Sequence, residues 1–246
     1  MSQFLKGLNE RQYEATKHGK GPMLVLAGAG SGKTRVLTHR IAHLIEQNVS
    51  PWNILAVTFT NKAANEMRER VVSMVGVAGE SVWLSTFHSV CVRMLRKDTE
   101  RLGYSGSFNI YDTDDQKRLM KSIFKERDTE EFEYSATDCL HFIEQAKLQP
   151  RRYEEICQYL QKEVDYDVEE IFIEYHRRMR QANAIDFNDI INFIVHIWQD
   201  HPEVLQRRQH QFRYILVDEY QDTNPTQYEF LRLLSGARKN IMVVGD

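Results

Sequence analysis

Short, wholly apolar runs alternate along this chain with longer stretches in which apolar residues recur every three or four positions. In the first hundred residues the runs are Met23–Leu26, Ile54–Thr58 and Val82–Ser85. Each leads into a charged amphipathic stretch: Thr34–Glu46, Lys62–Val75 and Phe87–Arg101. Continuous apolar runs of this length predict strands buried on both faces, and the longer spacing predicts helices packed against them. Strand and helix in strict alternation predict an α/β fold built on a parallel sheet flanked by helices. Two later runs, Tyr214–Val217 and Ile241–Val244, predict further strands of the same sheet.

The stretch between is almost free of strand pattern. Thr113 to Gln116 reads as a capping box opening a helix that runs to about Lys125, and Ser135 with Asp138 reads as a second start. Helical spacing continues through Ile171–Met179 and returns in Phe187, Ile190, Ile191, Ile194, Ile197 and Trp198, a stripe expected to face a core. The expected organisation is a sheet domain over 1–107 and 186–246, with a mainly helical inserted subdomain over 108–185.

Composition narrows the class. With 42% hydrophobic residues the chain can bury a substantial core. No run approaches the length of a membrane span, and the polar start MSQFLKGLNE is no signal peptide, so a cytoplasmic protein with no membrane partner is expected. Cys91, Cys139 and Cys157 are scattered, without metal-ligand spacing, and predict neither zinc nor disulfides. The net charge of −3 hides an uneven distribution. Residues 1–110 carry 14 Lys and Arg against 8 Asp and Glu, whereas residues 111–175 carry 9 against 18. A locally basic face is compatible with that total, because screening confines such fields to about 8 Å at physiological salt.

The chemistry concentrates at two places. The first is AGAGSGKT, Ala27 to Thr34, set between the first predicted strand and helix. Gly28, Gly30 and Gly32 allow the backbone to curl so that successive N–H groups face anionic oxygens, with Ala29 and Ser31 completing the loop. Lys33 is placed to reach the β- and γ-phosphates, and the Thr34 hydroxyl to occupy one position on Mg²⁺. Ala27 stands where the strict pattern has glycine, so this is a relaxed form of the phosphate loop. The second place is Asp218-Glu219, directly after the strand Ile215–Val217. In an open α/β sheet ligands lie beyond the carboxyl ends of the strands, where the loop also lies. Asp218 would hold Mg²⁺, and Glu219 would orient and deprotonate the attacking water.

Taken together, AGAGSGKT, TFTNKAANEMRER (Thr58–Arg70), STFHS (Ser85–Ser89) and LVDEYQDTN (Leu216–Asn224) resemble the superfamily-one DNA helicases of the UvrD/PcrA/Rep group. Order and spacing agree, including the insertion between STFHS and DEYQD. Gly245-Asp246 is similar to the opening of the family's next motif, as though the chain were cut before its glutamine. The resemblance implies a RecA-like phosphate-loop domain using ATP and Mg²⁺. It implies that Gln12 reads the adenine edge, that Arg35 packs on the adenine ring, and that Gln221 links the γ-phosphate to the DNA-sensing parts.

On the DNA side the resemblance makes Phe59 a stacking platform for a base, beside Asn61 and Lys62 at the end of the second strand. Thr86 and His88 match residues that contact the phosphate backbone, and Phe187 matches the aromatic of a DFxD segment facing the single strand. The function implied is the N-terminal motor portion of a 3′-to-5′ ATP-dependent helicase acting on single-stranded DNA and single-strand/duplex junctions in repair or replication. Its trans-acting arginines would lie on a second RecA-like domain that these residues do not include, so this portion alone is expected to bind ATP but not to unwind. The alternatives are the ATPase subunit of a recombination helicase–nuclease and a non-catalytic nucleotide-dependent interaction module.

Overall fold

The computed structural model describes residues 2–28, 30–127 and 132–246. In chain order its helices and strands are α1 (Glu10–Lys17), β1 (Met23–Leu26), α2 (Lys33–Glu46), β2 (Ile54–Thr58), α3 (Asn61–Val75), β3 (Trp83–Thr86) and α4 (Phe87–Asp98). There follow β4 (Asn109–Tyr111), α5 (Thr113–Glu126), α6 (Ala136–Ala146), α7 (Tyr153–Glu163), α8 (Tyr166–Gln181), β5 (Ala184–Asp186) and α9 (Phe187–Asp200). The chain closes with α10 (Pro202–Gln211), β6 (Tyr214–Val217), α11 (Pro225–Ser235) and β7 (Ile241–Gly245). Two compact units result: Met1–Val90 with His201–Thr223 and Leu231–Asp246, and Cys91–Asp200 with Asn224–Phe230.

The first unit is built on a five-stranded parallel sheet in the order β1-β7-β6-β2-β3. The expected strands all occur, within a residue at either end. On one face Ala56, Leu84, Leu216, Met242 and Val244 meet Val36, Leu37 and Ile41 of α2 and Ala64, Met67 and Val71 of α3. Burying a side chain such as Met67 or Val71 completely is worth roughly 1.5–3 kcal/mol, so this face fixes both helices. The central strand β2 is buried at every position. β1 differs from expectation. It lies at the sheet edge and alternates, with Met23 and Val25 turned to the core while Leu24 and Leu26 remain 58% and 70% exposed.

The second unit is helical apart from a pair of three-residue parallel strands, β4 and β5, which the sequence pattern did not reveal. Its core joins Met120 and Ile123 of α5, Leu140 and Ile143 of α6, Leu160 of α7 and Ile171, Phe172 and Tyr175 of α8. Helix α5 starts one residue earlier than expected. Asp112, rather than Thr113, caps it, accepting from the Asp114 and Asp115 N–H groups while Asp115 accepts from Asp112. A carboxylate outcompetes a hydroxyl here because it also complements the positive end of the helix. Ser135 and Asp138 form the expected capping box of α6.

This unit is wider than the 108–185 expected for the insertion. Helix α9, assigned from sequence to the sheet domain, belongs here: Ile190, Ile194, Ile197 and Trp198 are buried, and Trp198 stacks on Phe230 at 4.9 Å. Among the described residues no helix is long and apolar enough to cross a membrane.

Candidate nucleotide site

The turn from β1 into α2 is made by glycines. Gly30 and Gly32 have φ of 75° and 88°, and Ser31 N–H closes the turn on the Gly28 carbonyl. Gly32 is the N-cap of α2 and supplies no side-chain acceptor, so the first N–H groups of the helix are available to an anion. A Cβ on Gly32 would stand 2.7 Å from Gln12 Nε2. Ala27, the relaxed motif position, donates its N–H to the Gly245 carbonyl, tying the loop to the end of β7. Ala29 lies outside the described residues.

Sheet order brings the second half of the site to this loop, since β7 and β6 follow β1 directly. Lys33, at the first position of α2, places its Nζ 3.5 Å from Glu219 Oε2 and against Asp246 Oδ1. Asp246 and Glu219 together hold the lysine above its ordinary pKa, so it stays charged. Asp218 is buried and accepts from the Glu219 N–H. Burial and the neighbouring Glu219 charge raise its pKa, partly offset by Lys33. Glu219 sits in the left-handed region, φ 50° and ψ 47°, and this tight turn follows the strand immediately. Gln221 completes the cluster, with Nε2 donating to Glu219 at 2.8 Å and Oε1 accepting from the Asp246 N–H at 3.2 Å.

The residues present fit a magnesium ion. Mg²⁺ takes one or two carboxylates and completes its shell with water and phosphate oxygens, so it needs no dedicated cage. A buried carboxylate whose charged form is disfavoured is the group that a cation would relieve. Asp218 and the Thr34 hydroxyl would hold it. His39 and His43 lie four residues apart on α2, but His39 Nδ1 pairs with the Phe4 carbonyl and His43 lies 3.5 Å from Glu46. No group of three or more His, Cys, Asp or Glu suited to a metal occurs among the described residues.

Gln12 is held over the loop. Asn9 caps α1 in a reciprocal box with Gln12, and Gln12 Nε2 donates to the Ser31 carbonyl at 2.9 Å. Arg35 reaches back to the Gly7 carbonyl at 3.0 Å. A cavity of about 560 Å³ opens between α1 and the loop, lined by Asn9, Gln12, Val25, Gly28, Ser31 and Lys33 among others. The Asn9-x-x-Gln12 spacing is a capping signal carried by the local sequence itself. Asp246 against Lys33 had no such signal.

The expected DNA-side residues divide. Phe59 is half-buried between β2 and α3, its ring 5.6 Å from that of Phe87, and Asn61 and Lys62 are exposed at the start of α3. Thr86 is buried, and its hydroxyl donates to Ser89 Oγ while accepting from the Ser89 N–H, capping the first turn of α4. His88 is half-buried, and burial lowers its pKa. Phe187 belongs to the second unit. It does not join the buried stripe of α9 but is 51% exposed at the first position of that helix.

The fold and the loop define a phosphate-loop nucleotide-binding domain of RecA-like architecture. Residues 8–246 match the UvrD/REP helicase N-terminal domain, and the chain belongs to that family. It is 46% identical over its whole length to the ATP-dependent DNA helicase PcrA of Bacillus subtilis, covering 33% of that protein. It is 45% identical to the PcrA helicases of Leuconostoc citreum and Staphylococcus aureus, covering 98% and 100% of this chain and 32% and 34% of theirs. The chain thus spans about a third of the length of these curated relatives.

Proposed function

We propose that this chain is the ATP-binding motor portion of a 3′-to-5′ DNA helicase that translocates on single-stranded DNA. The observation that carries the reading is the meeting of Lys33 with Glu219 at the carboxyl ends of β1 and β6, with Asp218 buried beside them. Lys33 and the α2 N–H groups bind the triphosphate, while Asp218 and Thr34 hold Mg²⁺, which supplies charge neutralisation at the phosphates. Glu219 takes the proton of the attacking water, and Gln221 keeps the Glu219 carboxylate in place. Gln12 recognises adenine through an amide that donates and accepts together, and Arg35 packs on the base.

Phe59 and Phe187 offer aromatic surface to DNA bases, Asn61, Lys62 and His88 serve the backbone near the first of them, and Thr86 caps the α4 turn that carries His88. Stacking is sequence-tolerant because every base has a π-face, which suits a translocase. Two experiments test the reading. In a chain extended to the length of the curated relatives, Glu219→Gln should lower ATP turnover by about 10²–10⁴ while nucleotide binding persists. Unchanged turnover would remove Glu219 as the base, and no turnover in either chain would leave only a nucleotide-dependent interaction module. The 246 residues alone should hydrolyse ATP slowly, because arginines supplied by a second motor domain are worth ~10³–10⁵ in turnover. Fast DNA-stimulated hydrolysis by this portion would contradict the proposal.

A further inference from the structure

Arg40 is the one arginine of α2 enclosed in the first unit, only 4% exposed. Burying a guanidinium is costly unless its donors are satisfied, and an aliphatic side chain would fill such a position at no electrostatic cost. The desolvation is visible in its pKa, drawn down to about 10. Its hydrogen bonds all go one way. Nη1 donates to the Thr16 carbonyl at 3.0 Å and to the His18 carbonyl, and Nη2 donates to the Gly19 carbonyl at 3.0 Å. These acceptors are the carbonyls at and just past the end of α1, groups that helix geometry leaves without partners and where a cation also meets the negative pole of the helix.

The same helix therefore does two things. Its first turn, with Lys33 and Thr34, faces the phosphate loop, and two turns later Arg40 grips the far end of α1. At the near end of α1, Gln12 reaches the Ser31 carbonyl of that loop. The attachment at the carboxyl end fixes how far Gln12 stands from the place where a base attached to loop-bound phosphates must lie. We infer that Arg40 is a positioning residue for base selectivity: by anchoring the carboxyl end of α1 to α2 it holds Gln12 at the purine edge. This rests on the reading of Gln12 as the adenine-recognising residue. Phosphate recognition needs only the loop and the start of α2, so base selectivity and triphosphate affinity should separate when Arg40 is altered.

The test compares Mg²⁺-dependent binding of ATP, GTP and inorganic tripolyphosphate to this chain by displacement of a fluorescent nucleotide. The unaltered chain should favour ATP over GTP by about tenfold, and Gln12→Ala should bring that ratio near one. Arg40→Leu should collapse the ratio similarly while leaving tripolyphosphate affinity within about twofold, since the phosphate contacts are untouched. Arg40→Lys keeps the charge but cannot serve three carbonyls at once, so its ratio should fall between the two; it carries the test if Arg40→Leu fails to fold by circular dichroism. Retention of the full ATP preference by a folded Arg40 variant overturns the inference. So does a parallel loss of ATP and tripolyphosphate affinity, which would mark Arg40 as a general structural support. If Gln12→Ala leaves the preference intact, the Gln12 reading fails first and the inference with it.

Discussion

Lys33 Nζ lies 3.5 Å from Glu219 Oε2, although the two residues come from opposite ends of the chain. The sheet order explains the meeting, because β6 and β7 insert between β1 and β2 and so bring the acidic pair beside the phosphate loop. In this structure the lysine spans the carboxylates of Glu219 and Asp246. A bound triphosphate would compete for the same ammonium. Lys33→Ala should weaken Mg-ATP binding by roughly 10–100-fold, the scale of a lost charge-assisted contact, with little change in thermal stability. Isothermal titration of the two chains decides this; equal affinities would mean that the lysine serves the carboxylates only.

Gly32→Ala should damage the adenine side of the site more than its single added carbon suggests. The new Cβ would push Gln12 from the Ser31 carbonyl, and φ of 88° is unfavourable for any L side chain, at a cost of about 1–2 kcal/mol. Reduced ATP affinity and a lowered melting temperature should appear together. A variant with native affinity would show that Gln12 can recede without consequence.

Phe187 and Phe59 offer a graded comparison. Phe187 is 51% exposed, so Phe187→Ala should leave stability nearly unchanged while weakening binding to an oligothymidylate by about 1–3 kcal/mol. Phe59 packs on Phe87, so Phe59→Ala should lose both DNA affinity and some stability. Fluorescence anisotropy alongside thermal melts separates these outcomes, and full DNA affinity in Phe187→Ala would remove that residue from the DNA surface.

In the second unit Lys147 is almost fully enclosed, pairing with Asp186 at 2.6 Å and Asp189 at 2.8 Å, while Tyr175 also donates to Asp186. Lys147→Met leaves two carboxylates buried without their cation, which typically costs about 3–5 kcal/mol. Urea unfolding monitored by circular dichroism should register it. A loss below 1 kcal/mol would indicate that the carboxylates take up protons or water with ease.

His176 sets a pH dependence. Burial chiefly, then the charges of Lys147 and Arg180, lower its pKa to about 4, and its ring packs 4.7 Å from that of Tyr153. The folded chain binds this proton less readily than the unfolded chain, so stability falls as pH drops from the ordinary histidine value of 6.5 toward 4. Asp189, raised by burial and by Asp186, acts in the opposite direction over part of that range, and Glu174, lowered by Arg177 and Arg178, acts at still lower pH. The difference between native chain and His176→Phe isolates the histidine. It should change by about 2 kcal/mol between pH 7 and pH 4.5 after allowance for partial solvent access. A pH-independent difference would exclude His176 as the cause.

Local patterns revealed local structure. The strand before Gly28, the strand before Asp218 and the helix after Thr34 could be read because burial on a sheet or helix face imposes a period on nearby residues. Contacts between distant segments impose none. Arg40 of α2 against the end of α1 and Lys147 between two aspartates each join segments whose own neighbourhoods look ordinary. The β4 and β5 strands, three residues each, are too short to show a period, and the edge exposure of Leu24 depends on what covers the sheet rather than on Leu24 itself. Phe187 misled because its spacing fits the α9 stripe while its place in the first turn lifts it from the core.

The left-handed backbone at Glu219 carries a last consequence. A residue with a side chain pays about 1 kcal/mol to adopt that conformation, whereas glycine adopts it freely. Glu219→Gly should therefore melt at a higher temperature than the native chain while lacking the carboxylate beside Lys33. Selection of this domain for heat resistance alone would drift at position 219 toward sequences that are sturdier and chemically silent.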